Sequence, residues 1–190
     1  MLKVDKELID LCKKGDRRAQ NKLYELCYGI LLSICLRYEK NIEDAKHMLN
    51  IGFLKIAINL DKYSPEVNFE HWIRRIMINT NIDEFRRNKK RKELFSDVES
   101  DISLNNSSHY HHNQSSSALE AEDLEMMIRS LPADMQKVFN LFAIDGYSHN
   151  DISDMMGIPV GTSKWLVSTA RQKLRVLVER HNNIPKAIKI

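Results

Sequence analysis

The stretch SHNDISDMMGIPVGTSKWLVSTARQKLRVLV, residues 148–178, predicts two helices separated by a short turn. Ser148 and Asp151 have the spacing of a capping box, which marks the start of the first helix. Gly157 ends that helix, because glycine readily adopts the left-handed conformation that closes many helices. A second helix follows over 162–178, after a segment that contains proline and glycine. This pair is typical of a helix-turn-helix, whose second helix enters the major groove of DNA.

A basic face runs along the second helix. It consists of residues spaced four, three and four apart, namely Lys164, Ser168, Arg171 and Arg175. Arginine and lysine side chains on such a face can pair with guanine O6 and N7. A helical hairpin with a solvated basic surface would show the same spacing. The motif alone therefore leaves both interpretations open.

The charged residues divide the chain into three blocks, although the net charge is only +3. Residues 1–95 hold 20 Lys and Arg against 14 Asp and Glu, and residues 129–190 hold 9 against 5. Residues 96–128 between them hold seven acids and no Lys or Arg. Two basic blocks joined by an acidic one indicate two modules that bind a polyanion and a linker that does not compete for it.

A second basic element precedes the acidic block, where residues 86–92 hold six cations in seven positions. Cations alone bind phosphates without reading sequence. The residues before them add aromatic, basic and amide side chains that suit unpaired bases: Trp72, Arg74, Arg75, Asn79 and Asn81. A solubilising helix end and a core position for Trp72 are the alternative interpretations.

The apolar spacing predicts an all-α protein of two small helical domains, since no strand pattern is present. We expect an N-terminal helical domain at 1–95, a flexible acidic linker at 96–120, a helix-turn-helix domain at 121–180 and a tail at 181–190. The expected helices before the final pair are a short one at 8–12, a long one at 16–38, a third at about 43–60, a fourth from Phe69 through the cations at 86–92, and two more at 124–131 and about 135–146.

Composition argues against several classes of protein. No apolar run is long enough to cross a membrane, and the N-terminus does not have the pattern of a signal peptide, so we expect a cytoplasmic protein without membrane insertion. Cys12, Cys27 and Cys35 form no CxxC pair. Burial as reduced thiols is the favoured interpretation, and a redox or zinc role is the alternative.

Nothing in the sequence predicts catalysis or a cofactor. There is no nucleophile with a base, no pair of catalytic carboxylates and no phosphate-binding glycine loop. His109, His111 and His112 cluster in the linker, but no cysteine or acid stands beside them at the spacing of a metal site. We therefore expect neither an enzyme nor a metal protein.

Three segments of the chain resemble bacterial RNA polymerase sigma factors of the sigma-70 family. They are EDAKHMLNIGFLKIAINLDKY (43–63), NFEHWIRRIMINTNIDEFRRNKK (68–90) and LPADMQKVFNLFAIDGYSHNDISDMMGIPVGTSKWLVSTARQKLR (131–175). The two-domain layout resembles the extracytoplasmic function (ECF) group, which keeps only the second and fourth sigma regions. The resemblance implies binding to core RNA polymerase, recognition of the −35 and −10 promoter elements, and melting of the latter.

The resemblance also implies residue roles. Contacts to the −10 element fall on Trp72, Arg75, Asn79, Thr80, Asn81, Arg86, Arg87 and Lys90, with residues 79–81 in a loop that captures a flipped base. Contacts to the −35 element fall on Ser163, Lys164, Ser168, Arg171 and Arg175. Contacts to core polymerase fall on His47, Leu49, Asn50 and Phe53. An anti-sigma factor is a further partner that the family leads one to expect.

The chain departs from the family pattern in two places. At 47–51 it has HMLNI where the family has an acid, a glutamine and a glutamate. On the last helix, the chain has Trp165, Leu166 and Thr169 where the family has a serine and two basic residues. Trp165 either contacts thymine methyls or a partner, or is buried at the helix junction. The alternative functions are a helix-turn-helix regulator that acts without polymerase, favoured by the altered 47–51 segment, and a hydrolase or nuclease with a helix-turn-helix anchor, for which catalytic residues are missing.

Overall fold

The structure, a computed structural model, describes residues 4–95 and 121–182. These residues form helices, short helical turns and loops, and no strand occurs among them. The helices are α1 (Lys6–Lys13), α2 (Arg17–Tyr38), α3 (Ile42–Ile58), α4 (Phe69–Phe95), α5 (Ala121–Arg129), α6 (Ala133–Phe139), α7 (His149–Met156) and α8 (Val160–Asn182). The all-α prediction is confirmed. The acidic linker, the three linker histidines and the end of the tail lie outside the described residues.

The N-terminal domain, α1–α4, packs around the apolar stripe of α2. Its members Leu23, Leu31 and Ile34 are completely buried. The stripe begins at the predicted cap, where the Asp16 carboxylate accepts a hydrogen bond from the Ala19 backbone N–H at 2.8 Å. Cys12, Cys27 and Cys35 are all buried and unpaired in this core, as predicted. Burial is the main cause that raises the pKa of Cys27 and of Cys35 to about 12, so both remain protonated thiols at neutral pH.

The C-terminal domain, α5–α8, contains the predicted helix-turn-helix in α7 and α8. Ser148 and Asp151 form the capping box at the start of α7. Gly157 ends that helix in the left-handed region, at φ 66°. One structural difference from the prediction is that α6 runs into a π-helical turn, Asn140–Ile144, rather than continuing as regular α-helix toward Gly146. This wider turn ends beside Asp145, which reaches the N-terminal domain.

The two domains meet at the C-terminal end of α2. The last carbonyls of a helix have no partner within it. Here Gln136 Nε2 and Asn140 Nδ2 donate to the Arg37 carbonyl at 3.0 and 2.6 Å. Lys137 Nζ donates to the Tyr38 carbonyl at 2.9 Å, and its charge complements the negative end of the α2 dipole. The C-terminal domain thus caps a helix of the N-terminal domain.

Asp145 adds an ion pair to this junction. Its carboxylate lies 2.8 Å from Arg37 Nη2 and accepts a hydrogen bond from the Tyr38 hydroxyl at 2.6 Å. Burial, and then the negative charge of Asp145, raise the pKa of Tyr38 well above its usual value. We call the set Arg37, Tyr38, Gln136, Lys137, Asn140 and Asp145 the α2–α6 contact. None of its domain-crossing bonds could be inferred from local sequence, since the partners lie about a hundred residues apart.

Candidate nucleic-acid interface

The exposed face of α4 is the first candidate surface for nucleic acid. Its polar and basic residues recur at helical spacing and remain exposed: Arg75, Asn79, Arg86 and Lys90. Arg87 is exposed as well and pairs with Glu84 at 2.6 Å. The structure therefore brings five of the eight residues predicted to contact the −10 element to the surface of one helix.

Thr80 and Asn81 do not belong to this surface, and the predicted loop at 79–81 is absent. Both residues lie within α4 and are buried. Thr80 Oγ1 donates to the Ile76 carbonyl, and Asn81 Nδ2 donates to the Met77 carbonyl, each at 2.8 Å. These side chains satisfy the helix one turn back, which lets a polar residue face the core. Only Asn79 of the three is exposed.

The loop of this domain lies instead at residues 59–68, between α3 and α4. Ser64, Pro65, Glu66 and Val67 are exposed there. Asn68 ends the loop by accepting a hydrogen bond from the His71 N–H at 3.2 Å, an N-cap that starts α4.

Trp72 lies at the base of this loop in an aromatic cluster. It is half-buried, and its ring centroid lies 5.3 Å from that of Tyr63 and 5.8 Å from that of Phe69. Tyr63 in turn donates its hydroxyl hydrogen to the Val67 carbonyl at 2.9 Å. The cluster holds the loop against the start of α4. Because Trp72 is half-buried, part of its ring belongs to the core and part of it is accessible at the surface.

The basic face of α4 is turned toward the C-terminal domain. Arg86 donates to the Met155 carbonyl at 3.2 Å, and Lys89 pairs with Asp134 at 3.2 Å. Burial raises the pKa of Tyr147, and the positive charge of Arg75 opposes that rise. Arg75, Arg86 and Lys89 therefore face the C-terminal domain. Arg75 and Arg86 are among the residues predicted to contact DNA, and Lys89 lies in the same run of cations.

The exposed face of α8 is the second candidate surface. Lys164, Ser168, Arg171 and Arg175 are exposed, in agreement with their predicted spacing. Ser163 is not available to DNA, because it is completely buried and its hydroxyl lies 3.0 Å from His149 Nδ1. Its role is to join α7 to α8 inside the domain.

The structure adds two features of α8: the exposure of Trp165, which the sequence does not decide, and a contact of Arg171 within its own domain, which the sequence does not predict. Trp165 is 61% exposed, which decides against burial at the helix junction. Arg171 lies over the ring of Phe142, with its guanidinium carbon 5.5 Å from the centroid. His149 also stacks on Phe142, at 4.3 Å between ring centroids. This arrangement ties Arg171 to its own domain at the edge of the helix face.

A third surface lies on α3. His47, Ile51, Leu54 and Ile58 recur at helical spacing on one side of the helix, and we call them the α3 strip. Leu54 and Ile58 are 59% and 69% exposed. Leu49, predicted to contact polymerase, faces the opposite way and is completely buried, so it serves the core instead.

The other two residues predicted on this surface are accessible. Asn50 is exposed and accepts a hydrogen bond from the Tyr24 hydroxyl at 3.0 Å. Phe53 is half-buried, with its ring edge-on to Tyr24 at 4.9 Å between centroids.

Within residues 4–95 and 121–182, no three His, Cys, Asp or Glu side chains are grouped so that they could hold a metal ion. None of the helices in these ranges combines the length and apolar character that a membrane span requires.

Comparison with known proteins identifies both domains. A family model for sigma-70 region 2 matches residues 23–91, and one for sigma-70 region 4 matches residues 121–174. Together they cover most of the chain in the order that sigma factors have. The chain belongs to the sigma-70 family.

Full-length relatives of this sigma factor belong to the ECF group. It is 28% identical over 184 residues to the ECF RNA polymerase sigma factor SigW of Bacillus subtilis, an alignment that covers 90% of this chain and 94% of the relative. It is 27% identical over 195 residues to the ECF sigma-E factor of Escherichia coli K12, which covers 93% and 97% of the two chains. The predicted two-region ECF layout is thereby confirmed.

A solved structure shares the fold of this sigma factor. The sigma factor RpoE of Bartonella quintana, crystallised with the anti-sigma factor NepR, superposes with a TM-score of 0.52 at 19% identity. The match covers 84% of this chain and 96% of that chain.

Proposed function

We propose that this sigma factor binds core RNA polymerase through the α3 strip and directs it to promoters. The observation that carries this proposal is the exposure of Leu54 and Ile58, at 59% and 69%. Both are large apolar residues on the side of α3 opposite the buried Leu49 and Ile56, so they contribute nothing to the core of their own domain. Such an apolar strip is suited to burial against a protein.

This strip also bears on the altered 47–51 segment. If polymerase binding depended on the acids that the family has at these positions, it would be weakened in this chain, which has His47 and Ile51 there. An apolar interface gains instead, since roughly 25 cal/mol is recovered for each Å² of apolar surface removed from water. Ile51 lies in line with Leu54 and Ile58; it is half-buried against the core of its domain, and its exposed part extends the strip by one turn. The departure from the family pattern is then compatible with polymerase binding.

We propose that the N-terminal domain, 1–95, also holds the melted −10 element. The exposed face of α4 supplies Arg75, Arg86, Arg87 and Lys90 for phosphates and Asn79 for a base edge. The loop at 59–68, held by the cluster around Trp72, offers the irregular backbone and aromatic edge that an unstacked base requires. This loop replaces residues 79–81 as the candidate for base capture.

The C-terminal domain, 121–180, is proposed to read the −35 element with α8. Lys164, Ser168, Arg171 and Arg175 are accessible to the major groove and the flanking phosphates. We further propose that the protein acts in the cytoplasm without catalysis of its own. An anti-sigma factor is a proposed partner, because covering the α3 strip would block polymerase. The segment 96–120 remains the proposed linker.

The deciding experiment is a titration of the full chain against bacterial core RNA polymerase. We expect sub-micromolar binding by the native protein and a loss of at least tenfold in Leu54→Asn/Ile58→Asn. Leu11→Asn is the matched control, since Leu11 is also an exposed apolar residue but lies on α1 and does not belong to the strip. No binding by the native protein, with retained binding to duplex DNA, would favour the polymerase-independent regulator instead.

A further inference from the structure

The centre of the outward face of α8 is occupied by Trp165 and Gln172 rather than by its cations. At about 100° per residue, Trp165 lies roughly 180° around the helix from the buried Leu174. Gln172 falls about 20° from Trp165, so the two are nearly in line. Lys164 and Arg171 both lie on the same side of the helix, about 100° to 120° around it from Trp165, toward one edge of the face.

The contacts of the flanking residues agree with this geometry. Arg171 lies over Phe142 of its own domain, as an edge residue can. Trp165 is 61% exposed, although an indole is among the largest apolar side chains. It does not support the fold, because the core side of α8 is formed by other residues, namely Ser163, Leu166, Val167, Ala170 and Leu174.

In a helix-turn-helix, the N-terminal residues of the second helix reach the base edges. Trp165 lies in the second turn of α8, which begins at Val160. In the major groove the base with an apolar group is thymine, through its C5 methyl. An indole ring can bury that methyl, whereas it has no acceptor for cytosine or adenine and only one N–H donor.

We infer that Trp165 selects the −35 sequence by covering the C5 methyl of a thymine in the major groove. This inference rests on the proposed −35 role of α8. Gln172, about 10 Å further along the helix, addresses a second base about three steps away, where its amide suits an adenine. The chain thus reads an A·T-containing site with an apolar contact at Trp165.

The test begins by selecting tight sites from a randomised duplex library with the full chain bound to core polymerase. Each thymine of the selected duplex is then replaced by deoxyuridine, which lacks only the methyl group. We expect one replacement to weaken binding of the native protein about fourfold, the equivalent of roughly 0.8 kcal/mol for one buried methyl. Trp165→Ser should bind the thymine and uracil duplexes equally, because serine cannot cover the methyl.

Gln172→Ala is the matched control from the same face of α8. It should bind the duplex more weakly but keep the fourfold preference for thymine, since Trp165 remains. Serine and tryptophan have similar helix propensities, so Trp165→Ser should keep α8 intact, which its circular dichroism and thermal unfolding check.

Three results would overturn the inference. The first is a native protein that is indifferent to every thymine methyl. The second is a Trp165→Ser variant that keeps the preference or loses affinity equally on both duplexes, which would indicate a contact other than the methyl. The third is unchanged DNA binding with lost binding to a protein, which would make Trp165 a docking residue. If core polymerase is not bound at all, the same titration with the free chain still tests Trp165, so the two proposals fail separately.

Discussion

At the level of single residues, the two asparagines of α4 show how burial separates similar side chains. Asn79 is exposed, whereas Asn81 lies in the core with its amide nitrogen 2.8 Å from the Met77 carbonyl. The Asn81 carbonyl oxygen has no hydrogen-bond partner among the described residues. A buried acceptor without a partner destabilises a fold. The unpaired Asn81 oxygen therefore offsets the stabilisation from the hydrogen bond that the Asn81 amide donates to Met77.

We predict that Asn81→Leu leaves promoter melting intact and changes the free energy of unfolding by less than about 1.5 kcal/mol, with an increase as the favoured direction.

Asn79→Ala should instead impair opening of the −10 element while sparing duplex binding. Melting is measured by permanganate reactivity of unpaired thymines, and stability by urea unfolding. Equal loss for Asn79→Ala on pre-melted and intact templates would argue against a base contact at Asn79.

Ser163, Thr80 and Asn81 also mark a limit of sequence interpretation at this scale. The resemblance to sigma factors predicts that each contacts DNA, and a polar side chain is compatible with that role. Each is buried because it has a local acceptor or donor: Thr80 and Asn81 bond the carbonyls four residues back, and Ser163 contacts His149. Polarity predicts exposure only when the helix itself or a neighbouring helix offers no partner.

At the level of elements, the turn between α7 and α8 depends on a left-handed residue. Gly157 has φ 66°, a region that residues with a Cβ rarely adopt. Ser153 Oγ strengthens the turn by donating to the Ile158 carbonyl at 2.6 Å. The turn fixes the angle at which α8 leaves α7, and therefore the position of the face that we propose reads the −35 element.

We predict that Gly157→Ala lowers the stability of the C-terminal domain by about 1 kcal/mol, because alanine at positive φ is strained. Gly161→Ala is the matched control: Gly161 lies in the first turn of α8, where an added methyl group would meet open space. That substitution should be neutral or stabilising by up to about 1 kcal/mol. Thermal unfolding measures both, and equal effects would show that the backbone conformation is not what matters.

Element positions were predictable here because their signals are local. The periodic stripe of α2, the capping box at Ser148 and the terminal Gly157 each act within a few residues. The π-helical turn at Asn140–Ile144 has no comparable local signal. Neither do the buried Gln136 and Lys137, whose partners are the carbonyls at the end of α2. Contacts that depend on the meeting of two domains cannot be read from either domain alone.

At the level of the whole molecule, the described arrangement is a closed one. Arg86 and Lys89 contact the C-terminal domain, so the proposed DNA-binding face of α4 is partly occupied by Met155 and Asp134. The α2–α6 contact is polar, since it consists of hydrogen bonds and one ion pair. When the domains separate, these groups can form hydrogen bonds to water instead, so opening does not leave them without partners.

We predict that Asp145→Asn loosens the closed arrangement, because it removes the partly buried ion pair to Arg37 and weakens the bond from Tyr38. The expected cost to domain docking is about 1–3 kcal/mol. The measurement is the radius of gyration by small-angle scattering, which should increase. Glu43→Gln makes the same change in charge at an exposed pair on α3 and should leave the radius unchanged. An unchanged radius in Asp145→Asn would show that other contacts hold the domains together.

The α2–α6 contact has a further consequence because both partners belong to one chain. A tether confines the domains at an effective concentration of about 1 mM. A contact with a dissociation constant of about 1 mM between separate domains would therefore be closed about half of the time in the intact chain. The apparent affinity of the free chain for DNA falls by the fraction that is open, about twofold in this case. Cutting the chain between the domains should then strengthen DNA binding by each half, while removing the gain in affinity that comes from binding both promoter elements at once.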